Sequence, residues 1–266
     1  MGKGYLCHAD NSDGGGFDHH GEGIRNQELK EREGWTFMNL QGKVAVVTGA
    51  SGQLGPIWCE ALKEMGADVW GIDLPKTDVS IADQVASAAY DCVKSLGVPS
   101  VIVCNAGVDV PPGSVSTFWG DAERILRVNL LGAANTVEAF LPSMLEVGCG
   151  NIVFIGSMLG FVASDFRNYT PPFDKAWAYG ASKAGLWKLC KDLLVRYAQK
   201  GIVFNMLALS GVEGKQYDDF KRKYEAKIPI GRMLRREDFV NEFRTCVMAK
   251  VPYDAPLFVG GGYTVW

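Results

Sequence analysis

The chain is predicted to fold as one α/β domain, a single Rossmann-like, doubly wound parallel sheet in a three-layer α/β/α arrangement. Three observations carry this. From residue 43 onward, short β-branched apolar runs alternate with longer runs of helical period. The first apolar run leads straight into a glycine-rich turn, Gly49-Ala50-Ser51-Gly52-Gln53-Leu54-Gly55, which opens a helix. The second ends in an acid, Asp73.

The elements follow in order. Residues 1–38 stand apart: they are rich in Gly, Asp and charge, and they hold all three His (His8, His19, His20). They read as a loosely packed N-terminal extension docked by Trp35 and Phe37. They do not read as a metal site, because metal ligands need positions fixed by structure. Residues 39–266 form the domain. Residues 43–48 read as a fully buried strand. A helix follows over 56–65, with Pro56 in the first turn, where a missing N–H costs nothing. Strands are expected at 68–73, 100–104, 151–155, 202–207 and 257–259. Helices are expected at 81–96, 119–145, 180–199 and 236–249.

Composition narrows the function. A hydrophobic share of 47% over 266 residues supplies a sizeable core. A net charge of −3 argues against a nucleic-acid surface or a polybasic membrane anchor. No apolar run reaches the ~18 residues of a membrane span, and the first forty residues lack the apolar core of a secretory signal. The seven Cys are scattered without a CxxC pair. They read as reduced, mostly buried thiols of a cytoplasmic protein.

Two motifs carry chemistry. In the strand–turn–helix at residues 44–65, glycines let the backbone approach a pyrophosphate, whose charge is stabilised at the helix N-terminus. Asp73 lies 18 residues beyond Gly55. There it can accept hydrogen bonds from the adenosine ribose and repel a 2′-phosphate, which favours NAD over NADP. The second motif is Tyr179-Gly180-Ala181-Ser182-Lys183. Residues i and i+4 share a helix face, so the Lys183 ammonium is expected near the Tyr179 phenol, lowering its pKa from ~10. A phenol tuned this way exchanges a proton with an alcohol or ketone.

Together these motifs resemble the short-chain dehydrogenase/reductase family over about residues 40–266. Thr48 to Gly55 looks like its cofactor turn and Asn105-Ala106-Gly107 like its NAG motif. Asn129 looks like its helix Asn, Ser157 like its strand-end Ser, and Tyr179 with Lys183 like its YxxxK pair. The resemblance implies Tyr179 as general acid/base and Lys183 as pKa tuner and holder of the nicotinamide ribose. It implies that Ser157 bonds the substrate oxygen and that Asn129 organises a water-linked proton route through Lys183. Cofactor contacts implied are Gly49, Ser51, Gly52, Gln53, Leu54, Gly55, Asp73, the adenine-binding pair Asp78-Val79, Asn105, Ala106, Gly107, Tyr179, Lys183 and a backbone amide of Val212. Asn105 is expected mainly to brace the sheet. No metal is implied. Homodimers or homotetramers are implied, through the helices at 119–145 and 180–199.

A finer resemblance lies in the tail. Pro229 to Asp238 and the ending Gly260-Gly261-Gly262-Tyr263-Thr264-Val265-Trp266 are similar to a subgroup of flagellin-modification and nonulosonic-acid-pathway oxidoreductases, and Gly107 to Pro112 and Gly211 to Glu213 also fit it. The chain departs from the family at several points. Gln53 stands at a glycine position, with a glycine one place earlier at Gly52. The helix between Asp73 and Asp78 is missing. Leu209-Ser210 replaces Pro-Gly, and Gly260 replaces an acid. Twenty-one residues separate Ser157 from Tyr179, and the extra piece, 162–176, is rich in aromatics. It suits either a bulky polar ligand or a packing contact. The charged segment 213–227 reads as a substrate lid. The expected function is NAD(H)-dependent oxidoreduction of a sugar-like alcohol or ketone. A 3-oxoacyl or polyol substrate is the alternative within the class, and an impaired NAD-binding partner subunit is the alternative outside it.

Overall fold

The computed structural model describes residues 39–110, 119–170 and 175–265. Expectations about residues 1–38, Pro111, Pro112, Phe173 and Trp266 lie outside the described residues. In chain order the elements are β1 (Val44–Thr48), α1 (Gly55–Glu64), β2 (Asp68–Ile72), α2 (Ala82–Leu96), β3 (Pro99–Cys104), α3 (Ala122–Leu126), α4 (Gly132–Val147), β4 (Gly150–Ser157), α5 (Trp177–Tyr197), β5 (Ile202–Leu209), α6 (Asp218–Glu225), α7 (Val240–Met248) and β6 (Leu257–Val259). The six strands form one sheet in the order β2-β1-β3-β4-β5-β6, every pair parallel.

Side chains alternate across a strand, and the core divides accordingly. Val46, Ile102, Phe154 and Phe204 pack against α2, α4 and α5 on one face. Val47, Val103, Ile155 and Leu207 pack against α1 and α7 on the other. Both faces are covered, which is why the strands are apolar throughout. All the strands run the same way, so the ends of β1, β2, β3, β4 and β5 deliver Gly49, Asp73, Asn105, Ser157 and Ser210 to one edge of the sheet. Parallel α/β sheets bind ligands at that edge.

The predicted elements are present, with shifted ends. The helix expected at 119–145 starts at Ala122 and passes through a π turn at Arg127–Leu131 before running on to Val147. The helix expected at 180–199 begins at Trp177, so Tyr179 sits inside its first turn. Strands β4 and β5 each extend two residues past their expected ends, to Ser157 and Leu209. Residues 236–249 form a 3₁₀ turn, Arg236–Phe239, followed by α7. The connection from Asp73 to Ile81 holds no helix, as the sequence spacing requires.

The described part of the 162–176 insertion packs on the 213–227 segment. Lys227 Nζ donates to Asp165 at 2.5 Å and to Asn168 at 2.7 Å, and Asn168 donates to the Tyr263 hydroxyl at 3.0 Å. Phe220, Tyr224 and Tyr263 stack in series. Insertion, α6 and tail therefore form one unit beside the sheet edge. Arg167 and Lys227 hold the Asp165 carboxyl well below the usual range.

Candidate active site

The glycine turn is built by close approach. Gly49 has φ +64°, and a Cβ there would lie 2.8 Å from Ala106 Cα. A Cβ at Gly55 would lie 2.1 Å from the Gly49 carbonyl oxygen. Only glycine lets the start of α1 close onto the end of β1. Thr48 Oγ1 accepts the amides of Asn105 and Ala106, both at 3.1 Å. Asn105 donates to the carbonyls of Thr48 and Gly49 at 2.9 and 3.0 Å and accepts Trp58 Nε1 at 2.9 Å. Asn105 thus braces β1 to β3, as its sequence context suggests. The Thr48 hydroxyl does as much and was not singled out from sequence.

Asp73 accepts the Ser51 amide at 2.5 Å and the Leu74 amide at 2.8 Å. It lies on a cavity of about 230 Å³ shared with Ala50, Ser51, Trp70 and Lys76. The Lys76 ammonium stands 5.6 Å from the Trp70 ring centroid. Asp78 and Val79 do not line that cavity. Asp78 instead caps its own turn, accepting the Ser80 amide at 2.9 Å. Val79 packs on Gly132, and its carbonyl accepts Asn135 at 2.9 Å. Gln53, in place of a glycine, reaches the Glu213 carbonyl at 3.4 Å and so spans from the turn to the 213–227 segment. Leu54 forms the N-terminal boundary of α1.

The loop after β5 is held on both sides of Val212. Val212 bridges Leu234 in parallel, through Leu234 N to Gly211 O at 3.3 Å and Glu213 N to Leu234 O at 2.7 Å. This pattern turns the Val212 N–H away from Leu234. Gly211 N is held by the Tyr224 hydroxyl at 2.8 Å.

The four proposed chemical residues converge beside this loop. Asn129 lies in the π turn, buried; turns of this kind often mark functional sites. Its Oδ1 accepts the Val108 amide at 2.7 Å, and its Nδ2 donates to Val108 O at 3.0 Å and Ser182 Oγ at 3.1 Å. A Cβ on Gly107 would lie 3.5 Å from both Asn129 Oδ1 and Lys183 Nζ. Ser157 ends β4, buried, and its hydroxyl accepts the Leu159 amide at 3.2 Å and favours the Tyr179 phenolate. Lys183 is buried and donates to the Ile155 carbonyl at 2.9 Å, with its Nζ 5.9 Å from the Tyr179 ring centroid.

One electrostatic expectation is corrected. Burial raises the Tyr179 pKa, and the Ser157 hydroxyl offsets this only in part, so the net direction is up, not down. The Lys183 ammonium is directed to the Ile155 carbonyl. Burial also pushes Lys183 down, to about 8. A second ammonium, missed from sequence, lies nearer: Lys175 Nζ is 4.2 Å from the Tyr179 ring centroid and ion-pairs with Asp109. The four-residue spacing from Lys175 to Tyr179, mirroring that to Lys183, was the available signal.

Among the described residues, no cluster of three or more His, Cys, Asp or Glu could hold a metal. No described helix is long and apolar enough to cross a membrane.

A glycine-turn Rossmann sheet with a Tyr–Ser–Lys group on the same edge is the architecture of a dinucleotide-dependent oxidoreductase. Comparison with known proteins agrees. Residues 71–225 match the short chain dehydrogenase family. An uncharacterized oxidoreductase of Schizosaccharomyces pombe is 32% identical over 225 residues, covering 76% of this chain and 82% of the relative. A 2-dehydro-3-deoxy-L-rhamnonate dehydrogenase (NAD(+)) of Sphingomonas sp. is 30% identical over 214 residues, covering 72% and 82%. A short chain dehydrogenase of Leptospira borgpetersenii, solved with bound NAD+, shares the fold with a TM-score of 0.76 at 24% identity, over 84% of this chain and 93% of that one. The chain belongs to the short-chain dehydrogenase family, NAD(P)-dependent oxidoreductases acting on alcohols and ketones.

Proposed function

We propose that the protein uses NAD to oxidise a secondary alcohol of a sugar-like substrate, or to reduce the matching ketone, with Tyr179 as general acid/base. The observation that carries this is the gathering of Ser157, Tyr179 and Lys183 at one sheet edge, with the Ser157 hydroxyl favouring the Tyr179 phenolate and the Lys183 Nζ 5.9 Å from the Tyr179 ring centroid. Ser157 holds the substrate oxygen. Tyr179 as the phenol gives its proton to that oxygen in reduction, and as the phenolate takes it in oxidation. Lys183 offers its ammonium to the nicotinamide ribose, and Asn129 fixes the backbone at Val108 beside it. NAD bound there would supply the hydride acceptor.

The chain's own groups fit that cofactor. The Val212 N–H is turned off its bridge to Leu234, as a donor to a carboxamide should be. The Gly49–Gly55 contact leaves backbone amides at the start of α1 for a pyrophosphate. The Asp73 carboxylate at its cavity favours a ribose diol over a 2′-phosphate, and the Sphingomonas relative is named for NAD(+).

A sugar-like substrate is supported by that relative's name and by the tail's likeness to nonulosonic-acid-pathway oxidoreductases. A 3-oxoacyl or polyol substrate is the runner-up. Self-association is proposed through α4 and α5, which frame an apolar groove of Val137, Leu141, Leu189 and Leu193. Val195 on α5 is 86% exposed, which suits a covered face. The free, largely buried thiols suit the cytoplasm. The test is NADH formation across a panel of sugar alcohols, sugars and nucleotide sugars. Turnover supports the proposal. Tight NAD binding without turnover on any of them favours the partner-subunit reading instead.

A further inference from the structure

Beside the phenol stands an ion pair that the proton-transfer scheme does not use. Lys175 comes from the segment entering α5, and Asp109 from the loop that follows Gly107. Lys175 is 11% exposed and Asp109 33%. The lysine rests on the face of the Tyr179 ring. Asp109 is fixed in turn: its Oδ1 accepts the Val110 amide at 2.8 Å, and its carbonyl accepts Arg124 Nη2 at 3.0 Å. Around the pair the surroundings are apolar: Val110, Ile125 and Ala176 belong to a buried cluster on which Val108 and Tyr179 pack. Drawing two charges out of water into such a setting is no gain over two apolar side chains of equal volume. Stability therefore does not account for the pair.

We propose that Asp109 and Lys175 read a hydroxyl group on the carbon next to the reacting one. The preferred substrates are then vicinal diols and α-hydroxy ketones of the polyol and sugar type, and α-carboxylates are rejected. The proposal rests on Tyr179 as the acid/base, since the pair is placed by its contact with that ring. An ammonium has three N–H donors, and among the described residues only Asp109 takes one. The carboxylate keeps lone pairs beyond those given to Lys175 and Val110. One donor and one acceptor side by side match a hydroxyl, which is both. A carboxylate would face Asp109, and an amine would face Lys175. The pair is neutral as a unit, so it favours neutral polar groups.

The test uses three ring alcohols with NAD: trans-cyclohexane-1,2-diol, cyclohexanol and 2-hydroxycyclohexanecarboxylate. The readout is the ratio of kcat/KM values, which a merely structural tether would leave unchanged. Wild type is expected to favour the diol over cyclohexanol by roughly 10- to 100-fold, the worth of a hydrogen bond to a charged group. Lys175→Met and Asp109→Asn are each expected to cut that ratio about 10-fold or more. Asp109→Asn is also expected to shift preference from the diol toward the carboxylate. Lys175→Arg, which keeps charge and bulk, is expected to retain most of the ratio and guards against a folding defect in Lys175→Met. The proposal is overturned by a wild type without preference, by a wild type that turns over sugars but not the diol, or by ratios the variants leave intact. Failure of the oxidoreductase reading looks different: no NADH forms from these probes or from the sugar panel, and this proposal falls with it.

Discussion

Tyr224→Phe is the sharpest probe of the loop that positions Val212. The change removes one atom, the hydroxyl oxygen that accepts the Gly211 amide at 2.8 Å. Tyr224 is 2% exposed, so water does not replace it. The ring stays, and with it the stacks on Phe220 at 5.7 Å and Tyr263 at 4.6 Å. The loss is therefore one unpaired amide with almost no cavity, worth ~1–3 kcal/mol. Urea unfolding of the nucleotide-free protein should show that loss with an unchanged slope. The same peptide leads into Val212, so NAD affinity should weaken as well, by roughly the fold-change of a partly lost hydrogen bond. A variant whose stability stays within about 0.5 kcal/mol of wild type, with NAD affinity intact, would show that Tyr224 does not hold this loop.

Two further predictions concern charge. Asp73→Ala should bring NADP turnover up toward that with NAD, because a repelling carboxylate is gone while Lys76 remains on the same cavity; steady-state kinetics with both nucleotides would show an unmoved preference if Asp73 plays no part. Lys183 has a folded pKa lowered from 10.5 to about 8 by burial. The cost of the buried ammonium is thus fully present below about 8 and is lost as pH rises to 10.5, where the unfolded chain also deprotonates. Wild type should therefore gain on Lys183→Met by ~3 kcal/mol between neutral and strongly basic pH. The buried thiols other than Cys104, which is coupled to Lys183, titrate in both proteins and cancel. A difference that stays flat with pH would mean the lysine is not desolvated.

The strands, their parallel arrangement and the site's outline were legible in sequence for one reason. A parallel sheet covered on both faces demands continuous apolar runs, and their ends fix where Asp73, Asn105 and Ser157 emerge. Features set by tertiary contact were not legible. The π turn at Asn129 depends on hydrogen bonds to Val108, 21 residues away. The spacing of Tyr179 and Lys183 says they share a face but not where the ammonium points, and it turns to Ile155. Asp78 matched a motif by type, and its bond to the Ser80 amide, like the packing of Val79 on Gly132, could not be read from spacing. The Asp109–Lys175 pair spans 66 residues and became visible only once the sheet edge brought both loops together.

The most direct test is the rate of hydride transfer in Tyr179→Phe, measured alongside its affinity for NADH by fluorescence. Loss of the phenolic proton donor should lower turnover about 100-fold or more, with nucleotide affinity near that of wild type. Turnover at the wild-type rate would mean that the proton moves through some other group.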